Sequence, residues 1–259
     1  MKGKLNLETM INLYFELLKH PIFTIEDVNR YYGKVETARS AVKRLMAKGL
    51  AMKIRNNLYT CISGETDSPV ASRYQVACAL TPTAYLSHHT AMEYYGVSDQ
   101  VFYEVYVSSQ TAFNKFEFDG TLFRCILAKC SQGIETIQYS GGLRITDRER
   151  TVIDSIKDMD RIAGMEEVLA NIGGLSLLDD RKLLEYLECY NKQFLYQKTG
   201  FLLRGYQQQL GLSAAFFEAC MSRIGLSKRY LTKDCQEGKY DAEWHLVIPM
   251  YVYNLKNGG

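Results

Sequence analysis

The spacing of apolar residues changes from a helical to a strand period within the first 62 positions, and this change constrains the fold more than any other feature. Apolar residues recur three and four apart over residues 5–19, which predicts a helix that ends before Pro21. Thr24-Ile25-Glu26-Asp27 has the form of a capping box and predicts a second helix that Gly33 ends. The apolar side of the first helix is predicted to comprise Leu7, Met10, Ile11, Tyr14, Leu17 and Leu18.

A third helix is predicted from about Glu36 to Lys48, and a β-hairpin follows it. After Leu50 the apolar spacing becomes two residues, and Asn56-Asn57 supplies a tight turn between two short strands. Two helices, a short turn, a third helix and a two-stranded ribbon, in this order, predict a winged helix-turn-helix. The apolar side of the third helix is predicted to comprise Ala38, Ala41, Val42, Leu45 and Met46.

The net charge of +2 is distributed unevenly along the chain. Residues 1–62 contain 11 lysines and arginines against five acidic residues, a net charge of +6, whereas the remaining 197 residues have a net charge of −4. Residues 34–55 contain seven basic residues and one acidic residue, Glu36. A basic segment on a winged helix-turn-helix predicts that the partner is double-stranded DNA. A protein–protein role for the same fold is the alternative.

The candidate DNA contacts lie on the side of the third helix opposite its apolar residues, and on the wing. Short side chains permit close approach to the major groove, where Arg and Lys reach guanine acceptors and hydroxyls reach several base edges. Residues of the wing are expected at phosphates or the minor groove, and paired half-sites in promoter DNA are expected. The predicted DNA-binding residues are Thr37, Arg39, Ser40, Lys43, Arg44, Lys48, Lys53, Arg55 and Asn56.

The polar segment at residues 63–69 has no apolar period and predicts a linker between domains 1–62 and 70–259. Segments of strand character follow between residues 101 and 145, and helical patterns occupy most of residues 164–226. A last apolar strand, Leu246–Tyr253, is expected to join the same sheet. The predicted class is α+β, with a mainly antiparallel sheet and a helical C-terminal part.

The seven cysteines are scattered, with no Cys-x-x-Cys pair and no histidine at zinc-finger spacing, so they are predicted to be reduced and mostly buried. No metal and no cofactor is expected. The apolar runs are too short to span a bilayer, and the N-terminus lacks the apolar core of a signal peptide. A cytoplasmic location without membrane contact is expected.

No group of residues has the pattern of an active site, so an enzymatic activity is not expected. His88, His89 and Glu93 lack a metal-binding pattern, and capping or packing roles are expected for them. Thr146-Asp147-Arg148-Glu149 is interpreted as a second capping box, which accounts for Glu149 without a nuclease role. An aromatic group is expected in the core, with a ligand pocket as the alternative: Tyr94, Tyr95, Phe102, Tyr103 and Tyr106.

Two further stretches resemble the AbiE-type abortive-infection antitoxin family. The first is Tyr85-Leu86-Ser87-His88-His89-Thr90-Ala91, followed by Gly96-Val97-Ser98-Asp99-Gln100 and the strand ending Val105-Tyr106-Val107. The second is Ile145-Thr146-Asp147-Arg148-Glu149-Arg150-Thr151-Val152-Ile153-Asp154. With the N-terminal pattern, the resemblance covers roughly residues 5–175. The wing departs from the family's Arg-Gly-hydrophobic-Tyr ending, because Arg55-Asn56-Asn57-Leu58-Tyr59 lacks that glycine.

The resemblance implies a regulator of a toxin–antitoxin operon. Its N-terminal domain would bind operator DNA and repress the operon, and its C-terminal domain would carry the antitoxic activity. It would counteract a nucleotidyltransferase-like toxin without forming a stable complex with it. The alternative is a solitary one-component transcriptional regulator whose C-terminal domain senses a small ligand.

Overall fold

The computed structural model describes residues 7–98, 100, 102–162, 164–233, 235 and 237–252. The protein is α+β, as predicted. The chain forms two compact units, which are described separately below: Met1–Leu86, Tyr103–Leu127 and Thr136–Arg144 form the first, and Ser87–Phe102, Ala128–Glu135 and Ile145–Gly259 form the second. The linker predicted at residues 63–69 lies within the first unit, and the division into domains 1–62 and 70–259 stays a prediction.

Residues 7–62, here called the N-terminal module, have the predicted order of three helices and a hairpin. Thr24 caps the second helix as predicted: its Oγ1 accepts from the Asp27 amide at 3.3 Å, and Asp27 accepts from the Thr24 amide at 2.8 Å. Gly33 ends that helix with a φ of 66°. The elements are α1 (Leu7–Leu18), α2 (Ile25–Tyr32), α3 (Val35–Ala47), β1 (Ala51–Arg55) and β2 (Leu58–Cys61).

The three helices of the module bury a common apolar core that includes Leu13, Val28 and Leu45. Two residues predicted on apolar helix faces are instead exposed, Ile11 at 40% and Met46 at 38%. At 3.6 residues per turn, Met46 lies about 90° around α3 from the centre of its buried side. The spacing of apolar residues by three and four predicted both residues on the buried side, because this spacing does not show how wide the buried side of a helix is.

The hairpin is joined to α2 through its turn and through the chain before α2. Phe23 and Tyr59 exchange backbone hydrogen bonds of 2.9 Å in both directions. Asn57 has a φ of 54°, and its side chain accepts from the Ile25 amide at 3.1 Å and donates to Glu26 at 2.7 Å. An asparagine can therefore occupy this turn position, which a glycine would also fill.

A six-stranded mixed sheet follows, in the order β5-β6-β4-β3-β8-β7, and the chain passes between the two units within β7 and within β8. Strands β4 and β6 are parallel, whereas β3–β4 and β5–β6 are antiparallel. The elements of this region are α4 (Arg73–Ala79), β3 (Tyr85–Leu86), α5 (His88–Tyr94), β4 (Glu104–Ser109), β5 (Phe116–Phe118), β6 (Thr121–Leu127), β7 (Ile134–Thr136) and β8 (Arg144–Thr146).

The C-terminal part of the second unit is largely helical, as predicted. Its core includes Trp244, whose ring occupies the space that a side chain at Gly200 would need. The elements are α6 (Arg148–Ile162), α7 (Met165–Gly173), α8 (Asp180–Tyr190), α9 (Gln193–Arg204), α10 (Gln207–Leu210), α11 (Ala214–Ser222), β9 (Arg229–Tyr230), β10 (Gly238–Asp241) and β11 (Leu246–Pro249).

The last strand does not join the six-stranded sheet, so that prediction is wrong. β11 ends at Pro249 and lies between β10 and β9 in a separate three-stranded sheet. The apolar run of β11 indicated burial, which a central strand of any sheet satisfies, so the run could not identify its partners. Tyr253, the predicted end of the strand, lies outside the described residues.

The prediction that all cysteines are reduced is wrong for one pair. Cys130 and Cys189 form a disulfide with their Cα atoms 6.1 Å apart, and 59 positions separate them in the chain. That pairing depends on tertiary structure, which cysteine spacing alone does not reveal. Among the described residues, no helix combines the length and apolar character needed to cross a bilayer.

Candidate nucleic-acid interface

Helix α3 separates its apolar and polar residues on opposite sides. Ala38, Ala41, Val42 and Leu45 are buried in the core of the module. The candidate contact residues on the other side are exposed, apart from the half-buried Thr37: Arg39, Ser40, Lys43, Arg44 and Lys48. The structure therefore gathers the α3 residues predicted from the sequence on one accessible surface.

The cations of this surface are not neutralised by carboxylates. Within the part of the chain that the structure describes, none of the α3 cations lies within 4.0 Å of an acidic oxygen. Glu36, in the first turn of α3, is exposed on the same side of the helix. On α2, the hydrogen bond from Asn57, helped by the charge of Arg39, holds the pKa of Glu26 below its ordinary value. The surface is thus suited to a polyanion.

The wing contributes Lys53 and Asn56, which are both exposed. Arg55 is placed differently, because its guanidinium lies 5.4 Å from the ring centre of Phe116 and 5.7 Å from that of Phe113. A break in strand register lies between Lys53 and Arg55, so their simple alternation along β1 is interrupted. Arg55 is half-buried against aromatic rings, an arrangement that hairpin periodicity does not reveal.

The two histidines of α5 contact different groups. His88 Nδ1 lies 2.8 Å from Ser87 Oγ, and its Nε2 lies 3.3 Å from Asp158 Oδ2. The His89 ring packs on Phe102 with 4.3 Å between ring centres. His88 also has a φ of 55°, a left-handed backbone conformation that is uncommon for non-glycine residues. Asp158, which sequence reasoning did not single out, anchors His88.

Near the start of α6, Glu149, Arg150 and Asp154 are buried, whereas Arg148 is exposed. Arg150 is 1% exposed and donates to Asp154 at 2.9 Å, to the carbonyl of Gln132 at 2.7 Å and to Tyr190 Oη at 2.8 Å. These bonds satisfy the guanidinium within the second unit. Arg150 and Asp154 therefore have the contacts of packing residues.

The capping box predicted at Thr146 is wrong, because α6 begins one residue later. The amide of Arg150 donates to Asp147 Oδ1 at 2.8 Å, so Asp147 is the cap. Glu149 is then the second helical residue, and its carboxylate accepts from the amide of Asp179 at 3.0 Å. The role predicted for Glu149 in that box is therefore also wrong, because its carboxylate accepts from a backbone amide at the start of α8 and not at the start of α6.

The tyrosines considered for a ligand pocket have individual roles. Tyr95 donates to the carbonyl of Thr146 at 2.7 Å, and burial raises its pKa. In the first unit, Tyr106 donates to Glu104 at 3.2 Å. Tyr103 is 77% exposed, so the prediction that it lies in the core is wrong. The contacts of these side chains give the ligand-pocket alternative no direct support.

Comparisons with known proteins bear on the fold alone. No protein-family model and no curated protein matches the chain. A solved structure, the crystal structure of the RV2827C protein from Mycobacterium tuberculosis, is similar with a TM-score of 0.65. The alignment covers 97% of this chain and 95% of that one, at 14% sequence identity. The chain therefore shares its fold over almost its whole length with that protein.

Proposed function

We propose that this chain binds duplex DNA through its N-terminal module and represses transcription from its own promoter. The observation that carries this proposal is the basic, unneutralised side of α3, opposite a side that is fully engaged in the core. Thirteen helical residues span about 20 Å, and an α-helix fits the major groove of B-DNA.

The proposed roles follow from the position of each side chain. Ser40 and Lys43 would reach base edges, because they lie near the middle of the exposed side of α3, and the long side chain of Arg39 would reach them from the edge of that side. Lys48, Lys53 and Asn56, near the end of α3 and on the wing, would contact phosphates or the minor groove. Thr37 and Arg44 flank this set, and Arg55 would support the wing from its position on Phe113 and Phe116. A promoter with inverted half-sites is expected to bind two copies.

We further propose that the chain is an antitoxin that counteracts a nucleotidyltransferase-like toxin without a stable complex. The resemblance of residues 85–91 and 145–154 to the AbiE-type family supports this part. Both stretches form strand-to-helix connections, β3 to α5 and β8 to α6, and most of their side chains are buried. Because they are mostly buried, these stretches would stabilise the fold, and the antitoxic activity would belong to other surfaces of residues 70–259.

Co-expression separates the two parts of the proposal. The full chain is expected to restore growth of cells that produce the nucleotidyltransferase encoded beside it, and to silence a reporter under its own promoter. The double variant R39A/K43A should restore growth equally well while the reporter becomes active. Absence of rescue, together with absence of an adjacent nucleotidyltransferase gene, would favour the solitary regulator.

A further inference from the structure

Two exposed tyrosines lie in one row across the C-terminal three-stranded sheet. Val247 of the central strand β11 is paired with Tyr230 of β9 and with Tyr240 of β10. Paired residues of neighbouring strands project from the same face of a sheet, so the three side chains are adjacent there. Tyr230 is 53% and Tyr240 is 46% exposed, whereas Val247 between them is 6% exposed.

A lysine lies over both rings. Lys228 Nζ is 5.8 Å from the ring centre of Tyr230 and 5.7 Å from that of Tyr240. Tyr240 Oη is also 2.9 Å from His245 Nδ1, which orients its ring. We call Lys228, Tyr230, Tyr240 and Val247 the aromatic platform.

The charges around the platform favour an anionic ligand. Lys233 is exposed three residues after Tyr230. Arg229 is also exposed, but it is paired with Leu246 and therefore projects from the opposite face of the sheet. Of the nearby acidic residues, Asp241 accepts from the Trp244 amide at 2.9 Å, and Glu243 is paired with Arg204 at 3.1 Å. Glu237 is the other described carboxylate between β9 and β11, and it is exposed. Among these described residues, Lys228 is therefore the charge held directly at the two rings, and it is positive.

We propose that the aromatic platform binds single-stranded nucleic acid. Each tyrosine would stack one unpaired base, and Lys228 would pair with a phosphate between them. Two strand spacings of about 4.8 Å place the backbones of Tyr230 and Tyr240 about 10 Å apart, so each ring can take a different base. The bases of a duplex do not expose their faces, so duplex DNA, the ligand proposed for α3, could not stack on these rings. This site lies in the second unit and does not depend on DNA binding by the N-terminal module.

Fluorescence anisotropy with labelled 12-nucleotide oligo(U) and oligo(dT), titrated with the full chain, tests the proposal. Stacking energies per base predict that Y230A/Y240A raises the Kd at least about tenfold. The double variant Y230F/Y240F keeps both rings and should bind within about twofold of the unchanged protein. Tyr139→Ala is the matched control, because Tyr139 is a fully exposed tyrosine of the first unit.

Two further variants keep the test decisive if the alanine variant unfolds. Lys228→Glu leaves both tyrosines in place and should also weaken binding about tenfold, whereas R39A/K43A should leave it unchanged. The proposal is overturned if the full chain binds neither oligonucleotide, if Y230A/Y240A and Lys228→Glu bind as the unchanged protein does, or if only R39A/K43A loses binding. A preference for oligo(U) over oligo(dT) would identify RNA as the ligand, and equal binding would identify single strands of either kind.

Discussion

Arg150 and Asp154 form an ion pair one turn apart on α6, with 2.9 Å between Nε and Oδ1, and both side chains are at most 2% exposed. The pair lies in residues 145–154, one of the two stretches on which the proposed antitoxin role rests. Its bonds to the carbonyls of Cys130 and Gln132 and to Tyr190 join α6 to two other segments of the second unit. In this chain, the stretch therefore contributes to packing of the second unit.

Asp154→Asn should destabilise the protein by about 3–5 kcal/mol, because it leaves the Arg150 charge buried without its counter-ion. Urea unfolding at neutral pH measures this change. Arg181→Ala removes an exposed ion pair with Asp179 and should change the free energy of unfolding by less than about 1 kcal/mol. Equal effects of the two substitutions would contradict the role assigned to the buried pair.

The lowered pKa of Asp158 predicts that the protein loses stability in acid. Burial opposes its ionisation, but the hydrogen bond from His88 and the charge of Lys157 outweigh burial and hold its pKa well below the ordinary value. Because the folded state then binds this proton less readily than the unfolded state, its stabilising contribution is complete above about pH 4 and falls as the pH is lowered further. Asp158→Asn should lower the urea midpoint at pH 7 and flatten its decline between pH 5 and 3. A decline as steep as in the unchanged protein would rule out this carboxyl as the source.

The Cys130–Cys189 disulfide should stabilise the folded chain by about 2–4 kcal/mol, because it closes a loop of 59 positions in the unfolded state. Dithiothreitol should lower the melting temperature of the unchanged protein and leave that of Cys189→Ser unaffected. Cys235→Ser is the control, since that thiol is free. If the reductant affects Cys189→Ser and the unchanged protein equally, the disulfide is not the source of the stability.

Lys53 and Arg55 should behave differently although both belong to β1. Arg55→Ala removes the guanidinium from the rings of Phe113 and Phe116 and should destabilise the protein by about 1 kcal/mol. Lys53→Ala should leave stability unchanged, because its side chain is exposed, and should weaken promoter binding. Thermal melts and binding titrations of the two single variants measure this difference. A loss of stability in Lys53→Ala together with unchanged stability in Arg55→Ala would contradict these assignments.

Local chemistry made the N-terminal module predictable from the sequence. The Thr24 box, the left-handed Gly33 and the turn at Asn57 each act within a few residues, so the sequence pattern specifies them directly. The pairing of β11, the disulfide and the position of Arg55 depend on residues far along the chain, which no local period encodes. The aromatic platform was missed for the same reason, because it requires the register of three strands.

The salt dependence of promoter binding tests the central claim most directly. The slope of log K against log salt should decrease in magnitude by about 0.9 for each phosphate that the protein no longer neutralises. R39A/K43A should therefore lower the slope by about one to two and weaken binding at every salt concentration. K19A/R30A is the matched control, since it removes two exposed cations of the same module, one directly after α1 and one on α2. The control should retain the slope and affinity of the unchanged protein. Equal slopes and affinities for R39A/K43A and the unchanged protein would contradict the assignment of α3 as the DNA-binding helix.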